Sequence, residues 1–164
     1  MTSSEQDFFA RSCGEAEGAK LDIDIVTGHV LDAAIAIHRD LGPGLYESVY
    51  ETLLAARLAR LDYKVACQHP VDIVHDGLSF TAAFRVDILV DHRLVIEIKA
   101  VDGLRPVHHK QLLTYLRVLK QPVGLLINFN EALLKDGFKR VVNDYRPSAS
   151  PRLRVNQRIP DLEQ

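Results

Sequence analysis

The amino-acid sequence predicts an α/β protein of the α+β mixed-sheet kind, one sheet flanked by helices. Three observations carry this expectation. Two stretches with apolar residues at helical spacing come first, at 23–41 and 46–61. Three extended segments joined by short polar breaks follow, at 64–74, 78–90 and 94–99. A third helical stretch then leads to a nearly continuous apolar run at 123–129, the pattern of a strand covered on both faces. An antiparallel meander, a helix and a further strand is the order of a mixed sheet.

Taken in order, the first helix rests on Ile23, Val26, Val30, Ala33, Ala34 and Ile37, which recur on one face. Asp22 or Asp24 is placed to cap its start, and Gly42-Pro43-Gly44 stops it. The second helix rests on Val49, Tyr50, Leu53, Leu54, Leu58 and Leu61, which leaves Arg57 and Arg60 to solvent. Asp62-Tyr63 then turns the chain. Pro70 confines the next extended stretch to a sheet edge or bends it. His75-Asp76-Gly77 is a hairpin turn, and Leu78 to Ala83 runs on into Phe84–Val90 as one long strand. Arg105-Pro106 opens the third helix, with Leu112, Tyr115, Leu116 and Leu119 as its apolar stripe, and Gln121-Pro122 ends it. After Asp136-Gly137, Phe138 to Val142 forms a last short strand. Residues 1–20 read as a disordered leader, 21–144 as a single domain and 145–164 as a mobile tail.

A chain of 164 residues is long enough for one proper core, and 47% apolar with 26% charged residues is ordinary soluble composition. No apolar run approaches bilayer length and the first residues lack signal-peptide character, so a cytoplasmic setting with no membrane partner is expected. Cys13 and Cys67 are too few for a disulfide framework or a cysteine zinc site. The formal net charge of −2 argues against coating nucleic acid by bulk electrostatics, so such contact needs a local basic surface.

The chemistry concentrates on the hairpin formed by 84–90 and 94–99. If Val90 pairs with Leu94 across Asp91-His92-Arg93, then Ile88 faces Ile96 and Val86 faces Ile98, and six aliphatic side chains share one face. The other face then carries Arg85, Asp87 and Leu89 opposite Lys99, Glu97 and Val95. This register sets Asp87 directly across from Glu97, with Cβ atoms about 5 Å apart, where like charges are destabilising. Two carboxylates so placed need a shared proton or a cation between them. Lys99 adds an ammonium on the same face.

Gly44-Leu45-Tyr46-Glu47-Ser48-Val49-Tyr50, then Arg85-Val86-Asp87, Glu97-Ile98-Lys99, Gln111 to Tyr115 and Gly124-Leu125-Leu126-Ile127-Asn128-Phe129 stand in that order. With these blocks the chain resembles the GxxExxY proteins over roughly Val26 to Val142. That family is grouped with the PD-(D/E)XK nuclease superfamily, and the Gln-x-x-x-Tyr block resembles its RecB-like branch. The resemblance implies a restriction-endonuclease-like αβββαβ core, here with an extra N-terminal helix. It also implies a nuclease-like, divalent-metal-dependent enzyme that hydrolyses phosphodiester bonds in DNA or RNA. Asp87 matches the first motif acid, Glu97 the second, Lys99 the motif lysine and Glu47 the acid of the first core helix. Val86 stands where the motif's name has proline.

A hard cation such as Mg²⁺ or Mn²⁺ takes oxygen ligands, which Asp87, Glu97 and the Ile98 carbonyl offer, with Glu47 binding directly or through water. Lys99 would orient or deprotonate a water, or act through its charge. Gln111 and Tyr115, four apart, fall on one side of their helix, in reach of Lys99 or a phosphate.

Several residues have a second explanation. Glu47 also suits a first helical turn by its interaction with the helix dipole, and Tyr50 and Tyr115 also suit plain packing. Arg85 either contacts substrate phosphate or pairs with Asp87 or Glu97. Arg105 and Lys110, with His108 and His109, form either a phosphate-facing patch or an ordinary charged helix surface. The histidines show no zinc spacing. The second functional reading is a catalytically inactive nuclease-fold protein that binds nucleic acid or a protein. Analogy with small nucleases on this fold also admits a homodimer.

Overall fold

The computed structural model describes residues 21–143, so the expected leader at 1–20 and tail at 145–164 lie outside the described residues. Helices α1 (Ile23–Leu41) and α2 (Glu47–Ala59) precede strands β1 (Val65–His75), β2 (Leu78–Val90) and β3 (Leu94–Lys99). Helix α3 (Pro106–Leu119), strand β4 (Val123–Asn128), the short helix α4 (Leu134–Gly137) and strand β5 (Phe138–Val142) complete the order. The strands form one sheet in the order β1-β2-β3-β4-β5, antiparallel except for the parallel β3–β4 pair. That pair requires a crossover, which α3 supplies.

The six apolar residues expected on one face of α1 are all buried, and the Asp22 carboxylate caps the helix by accepting the Asp24 N–H at 2.9 Å. On α2 the stripe is narrower than expected: Tyr50, Leu54, Ala55 and Leu58 are buried, whereas Val49 and Leu61 are 38% and 52% exposed. The helix ends at Ala59, before Leu61, and Val49 sits one residue off the i, i+4, i+8 line that faces the core. Arg57 donates to Asp40 of α1 at 2.8 Å and ties the two helices together.

Both faces of the sheet are covered. Helices α1 and α2 pack on one side against Ile88, Val90, Leu94, Ile96, Ile98 and the β4 residues Leu125 and Ile127. On the other side α3 packs with Leu112 and Leu116 against Val86, Leu89, Val95 and Leu126. Gly124 sets how closely α3 approaches: a Cβ there would stand 3.0 Å from Leu112 and 3.1 Å from Leu116. The β1–β2 turn has Asp76 and Gly77 at φ 49° and 76°, the primed geometry that matches strand twist. Near this turn the ribbon leaves the core, with Val74, Leu78 and Phe80 exposed. Asp72 holds its bulge by accepting the Ala82 N–H at 2.7 Å.

The β2–β3 ladder follows the predicted register at Val90–Leu94, Leu89–Val95 and Ile88–Ile96. The continuation expected from it, Asp87 across from Glu97 and Val86 across from Ile98, does not form. Val86 and Leu89, three residues apart, lie in the α3-side core, whereas Ile88 and Val90 lie in the α1–α2 side. Strict alternation cannot place Val86 and Leu89 on one face, so inside and outside exchange at Asp87. On β1 the residue between the Cys67–Ile88 and His69–Val86 pairs is Gln68, in left-handed backbone at φ 49°. The two strands therefore kink together, with Asp87 at the kink. Among the described residues no helix is long and apolar enough to cross a membrane.

Candidate active site

Asp87 stands at the break in the ladder, and its side chain replaces the missing backbone partner. Its Oδ2 accepts the Ile98 N–H at 2.8 Å, while Oδ1 accepts from Gln68 Nε2 at 3.4 Å. The same Gln68 nitrogen donates to Glu51 Oε2 at 2.7 Å. One neutral amide thus serves two carboxylates. Burial raises the Asp87 pKa, against the lowering effect of the Ile98 N–H and the Lys99 charge. Burial likewise raises that of Glu51, to which the Asp87 charge adds. Sequence reasoning missed both Gln68 and Glu51. The signal for Glu51 was its place four residues after Glu47 on α2, one turn along the same side.

Glu97 is buried in the middle of the sheet, flanked on β3 by Ile96 and Ile98. Its Oε1 accepts from Lys99 Nζ at 2.7 Å, and its Oε2 is buried without a partner. Burial and then the Asp87 charge push the Glu97 pKa up to about 7, against the opposing pull of Lys99. Lys99 loses hydration, which lowers its pKa, but Glu97, Asp87 and Glu47 together outweigh this and leave it raised. Lys99 is therefore an ammonium at neutral pH. Glu97, Asp87, Lys99 and Glu47 feel one another electrostatically, as the sequence expected, although the two acids are not opposed in the ladder.

Glu47 opens α2, and its Oε1 accepts the Ala100 N–H at 3.0 Å, which pins the helix start to the end of β3. Beyond Lys99 the chain is held by Asn128, fully buried on β4. Its Oδ1 accepts the Val101 N–H at 3.0 Å and its Nδ2 donates to the Val101 carbonyl at 2.8 Å. An open cleft of about 460 Å³ adjoins this junction, lined by Leu45, Tyr46, Glu47, Ser48 and Ala100.

On α3, Gln111 and Tyr115 do share a side, but they bond each other, Gln111 Nε2 donating to the Tyr115 hydroxyl at 2.7 Å. Lys99 is bonded to Glu97 instead. Tyr115 also stacks on Phe84 of β2, ring centroids 4.0 Å apart and planes 3° from parallel, so much of its role is packing. Arg85, Arg105 and Lys110 are exposed, and Arg85 is paired with neither Asp87 nor Glu97. His108 leaves the surface patch expected around Arg105. It is buried, its Nδ1 accepts the Arg105 N–H at 3.2 Å at the start of α3, and burial followed by the Arg105 charge lowers its pKa.

Among the described residues, no three His, Cys, Asp or Glu side chains converge closely enough to hold a metal ion. The oxygens on offer are instead those of the Asp87 and Glu97 carboxylates. Such a set suits a hard cation that keeps several waters. An orphaned, buried carboxylate oxygen and two acids with raised pKa values are what a divalent charge would relieve. The residues present fit the ion.

Residues 24–141 match a family model described as the PD-(D/E)XK nuclease superfamily. No curated protein and no solved structure matches the chain.

Proposed function

The chain belongs to the PD-(D/E)XK nuclease superfamily, and from that premise we propose that it hydrolyses phosphodiester bonds in DNA or RNA with Mg²⁺ or Mn²⁺. The observation that carries this reading is Glu97: a buried carboxylate with one oxygen on Lys99 and the other without a partner, raised in pKa by burial and Asp87. A cation would satisfy that oxygen and offset the repulsion. Asp87, Glu97 and the Ile98 carbonyl would hold it, and Glu47, engaged with the Ala100 N–H, would reach it through water. When bound, the ion supplies positive charge against the phosphate and acidifies water.

The chain's own groups do the rest. The Ile98 N–H and the Gln68 amide fix the Asp87 carboxylate. Lys99, held charged by its acidic neighbours, acts by donating from Nζ to a phosphate oxygen rather than as a base. The exposed Arg85, Arg105 and Lys110 offer cations for flanking phosphates.

Cleavage of labelled single-stranded and duplex oligonucleotides with Mg²⁺ or Mn²⁺ tests this. Asp87→Asn and Lys99→Ala should each lower the metal-dependent rate by about a hundredfold or more, with a far-UV circular dichroism spectrum that shows each variant still folded. Full cleavage by Asp87→Asn sinks the assignment. Two observations favour the alternative, a catalytically idle binding module: one Glu97 oxygen is already taken by Lys99, and no three metal-binding side chains converge among the described residues. Titration calorimetry separates the two readings, since absence of Mg²⁺ and Mn²⁺ binding even at high concentration supports the idle protein.

A further inference from the structure

The segment Gly44 to Tyr50 carries two tyrosines with opposite fates. Tyr50 is fully buried and stacks on Phe129, ring centroids 4.3 Å apart and planes 8° from parallel. Its hydroxyl donates to the Gly42 carbonyl at 2.7 Å and accepts the Leu45 N–H at 3.2 Å, so it holds both ends of the loop before α2. Tyr46, at the end of that loop, is 84% exposed, more than any other large apolar residue described, and its hydroxyl has no hydrogen-bond partner among the described residues. Leu45 and Val49 beside it are 39% and 38% exposed. A buried tyrosine thus displays an exposed one on a rigid base.

The cleft next to this patch joins two chemistries. Leu45 and Tyr46 give it an apolar, aromatic wall. Glu47 and Ala100 give it a wall that is part of the candidate site, since Glu47 bonds the Ala100 N–H directly after Lys99. An occupant needs a flat apolar face joined to a phosphodiester. A nucleotide has both, but in a duplex the base faces are covered by their neighbours, and only an unpaired base presents one.

Charge points the same way. From Leu41 to Ala56 the sequence has no lysine or arginine and has acids at Glu47 and Glu51. This lip cannot grip a duplex by its two phosphate backbones. Stacking does not need such cations.

We propose that Tyr46 is a stacking platform for an unpaired nucleobase, and that the substrate enters the site as single-stranded nucleic acid. This rests on the nuclease reading above.

The test compares wild type with Tyr46→Ala, Tyr46→Phe and Tyr46→Trp, using a labelled oligothymidine strand and a blunt duplex with Mg²⁺. Tyr46→Ala should raise KM for the single strand by roughly 5- to 100-fold, the range of one lost base–aromatic stack, with kcat little changed. The Phe and Trp variants should stay close to wild type. Wild type should cleave the duplex more slowly than the strand, and Tyr46→Ala should narrow that preference. Equal KM for wild type and Tyr46→Ala on the strand overturns the platform, as does a wild-type preference for the duplex. Should wild type cleave neither these substrates nor a labelled oligouridine strand, the nuclease reading fails on its own. Fluorescence anisotropy with the same oligothymidine then decides the platform: weaker binding by Tyr46→Ala supports it, and equal or absent binding overturns it.

Discussion

From Val90–Leu94 to Ile88–Ile96 the β2–β3 hairpin pairs residue for residue, and its aliphatic side chains are sealed between helices. One residue further along β2 and two along β3, at Asp87 and Ile98, a carboxylate takes the backbone N–H, the facing of β2 reverses, and a glutamate lies buried with an unpartnered oxygen. The lower half of the hairpin contributes stability through burial. The upper half holds desolvated charge, which costs stability until something positive neutralises it. The same two strands thus act as scaffold at one end and as site at the other.

The contrast breaks first, and hardest, on Ile96. Its side chain is fully buried, and Ile96→Ala should cost about 2–5 kcal/mol in denaturant unfolding, through lost transfer energy and a cavity. Metal affinity of the folded fraction should hardly move. A loss below about 1 kcal/mol would mean that the lower half is not the scaffold.

The upper half should answer to pH instead. Glu97 has a pKa of about 7 in the fold against an ordinary 4.5, so between those values the native state keeps a proton that the unfolded chain releases. Stability of the metal-free protein should therefore fall as pH rises through this window, by about 3 kcal/mol once above it. Asp87, also raised by burial, adds in the same direction. Lys99 stays charged throughout the window, because its pKa is raised from an already high value. Glu97→Gln should flatten most of the profile. Mg²⁺ added above pH 7 should raise the Tm of wild type but not of the variant. A flat wild-type profile in chelator would show that Glu97 is not the strained group.

The sequence was legible where burial alone decides. The helical recurrence from Ile23 to Ile37, the Asp76-Gly77 turn and the lower ladder all form as patterned, since periods of 3.6 and 2 report which side meets the core. Asp87, Glu97 and Lys99 were legible because charges in an apolar strand need a reason. Counting alternate residues failed at Asp87, because the count assumes that each residue advances by one regular step. A left-handed Gln68 and a carboxylate bonded 11 residues away lie outside that rule. Apolarity alone puts Val49 and Leu61 in the core, yet the surface in contact with α2 is narrower than its apolar face. Helix α4, four residues long, is too short to show a period. Gln68 and Glu51 gain their importance only from meeting Asp87 in space.

The smallest effect sharpens the comparison most, because Gln68 has both a backbone and a side-chain role at the kink. Left-handed backbone costs a non-glycine residue roughly 1–2 kcal/mol, so Gln68→Gly removes that strain and deletes the amide together. Fold stability should change little, since the relief is offset by the greater freedom of glycine in the unfolded chain. Asp87 and Glu51 would lose the nitrogen they share, and Mg²⁺ affinity measured by calorimetry should fall roughly 10- to 100-fold, as for other groups that orient metal ligands. Gln68→Asn, which tolerates the left-handed region and keeps a shorter amide, should lie between wild type and glycine. If Gln68→Gly keeps wild-type affinity, the kink alone presents Asp87 to the ion, and the amide is a bystander that fills the gap between two acids.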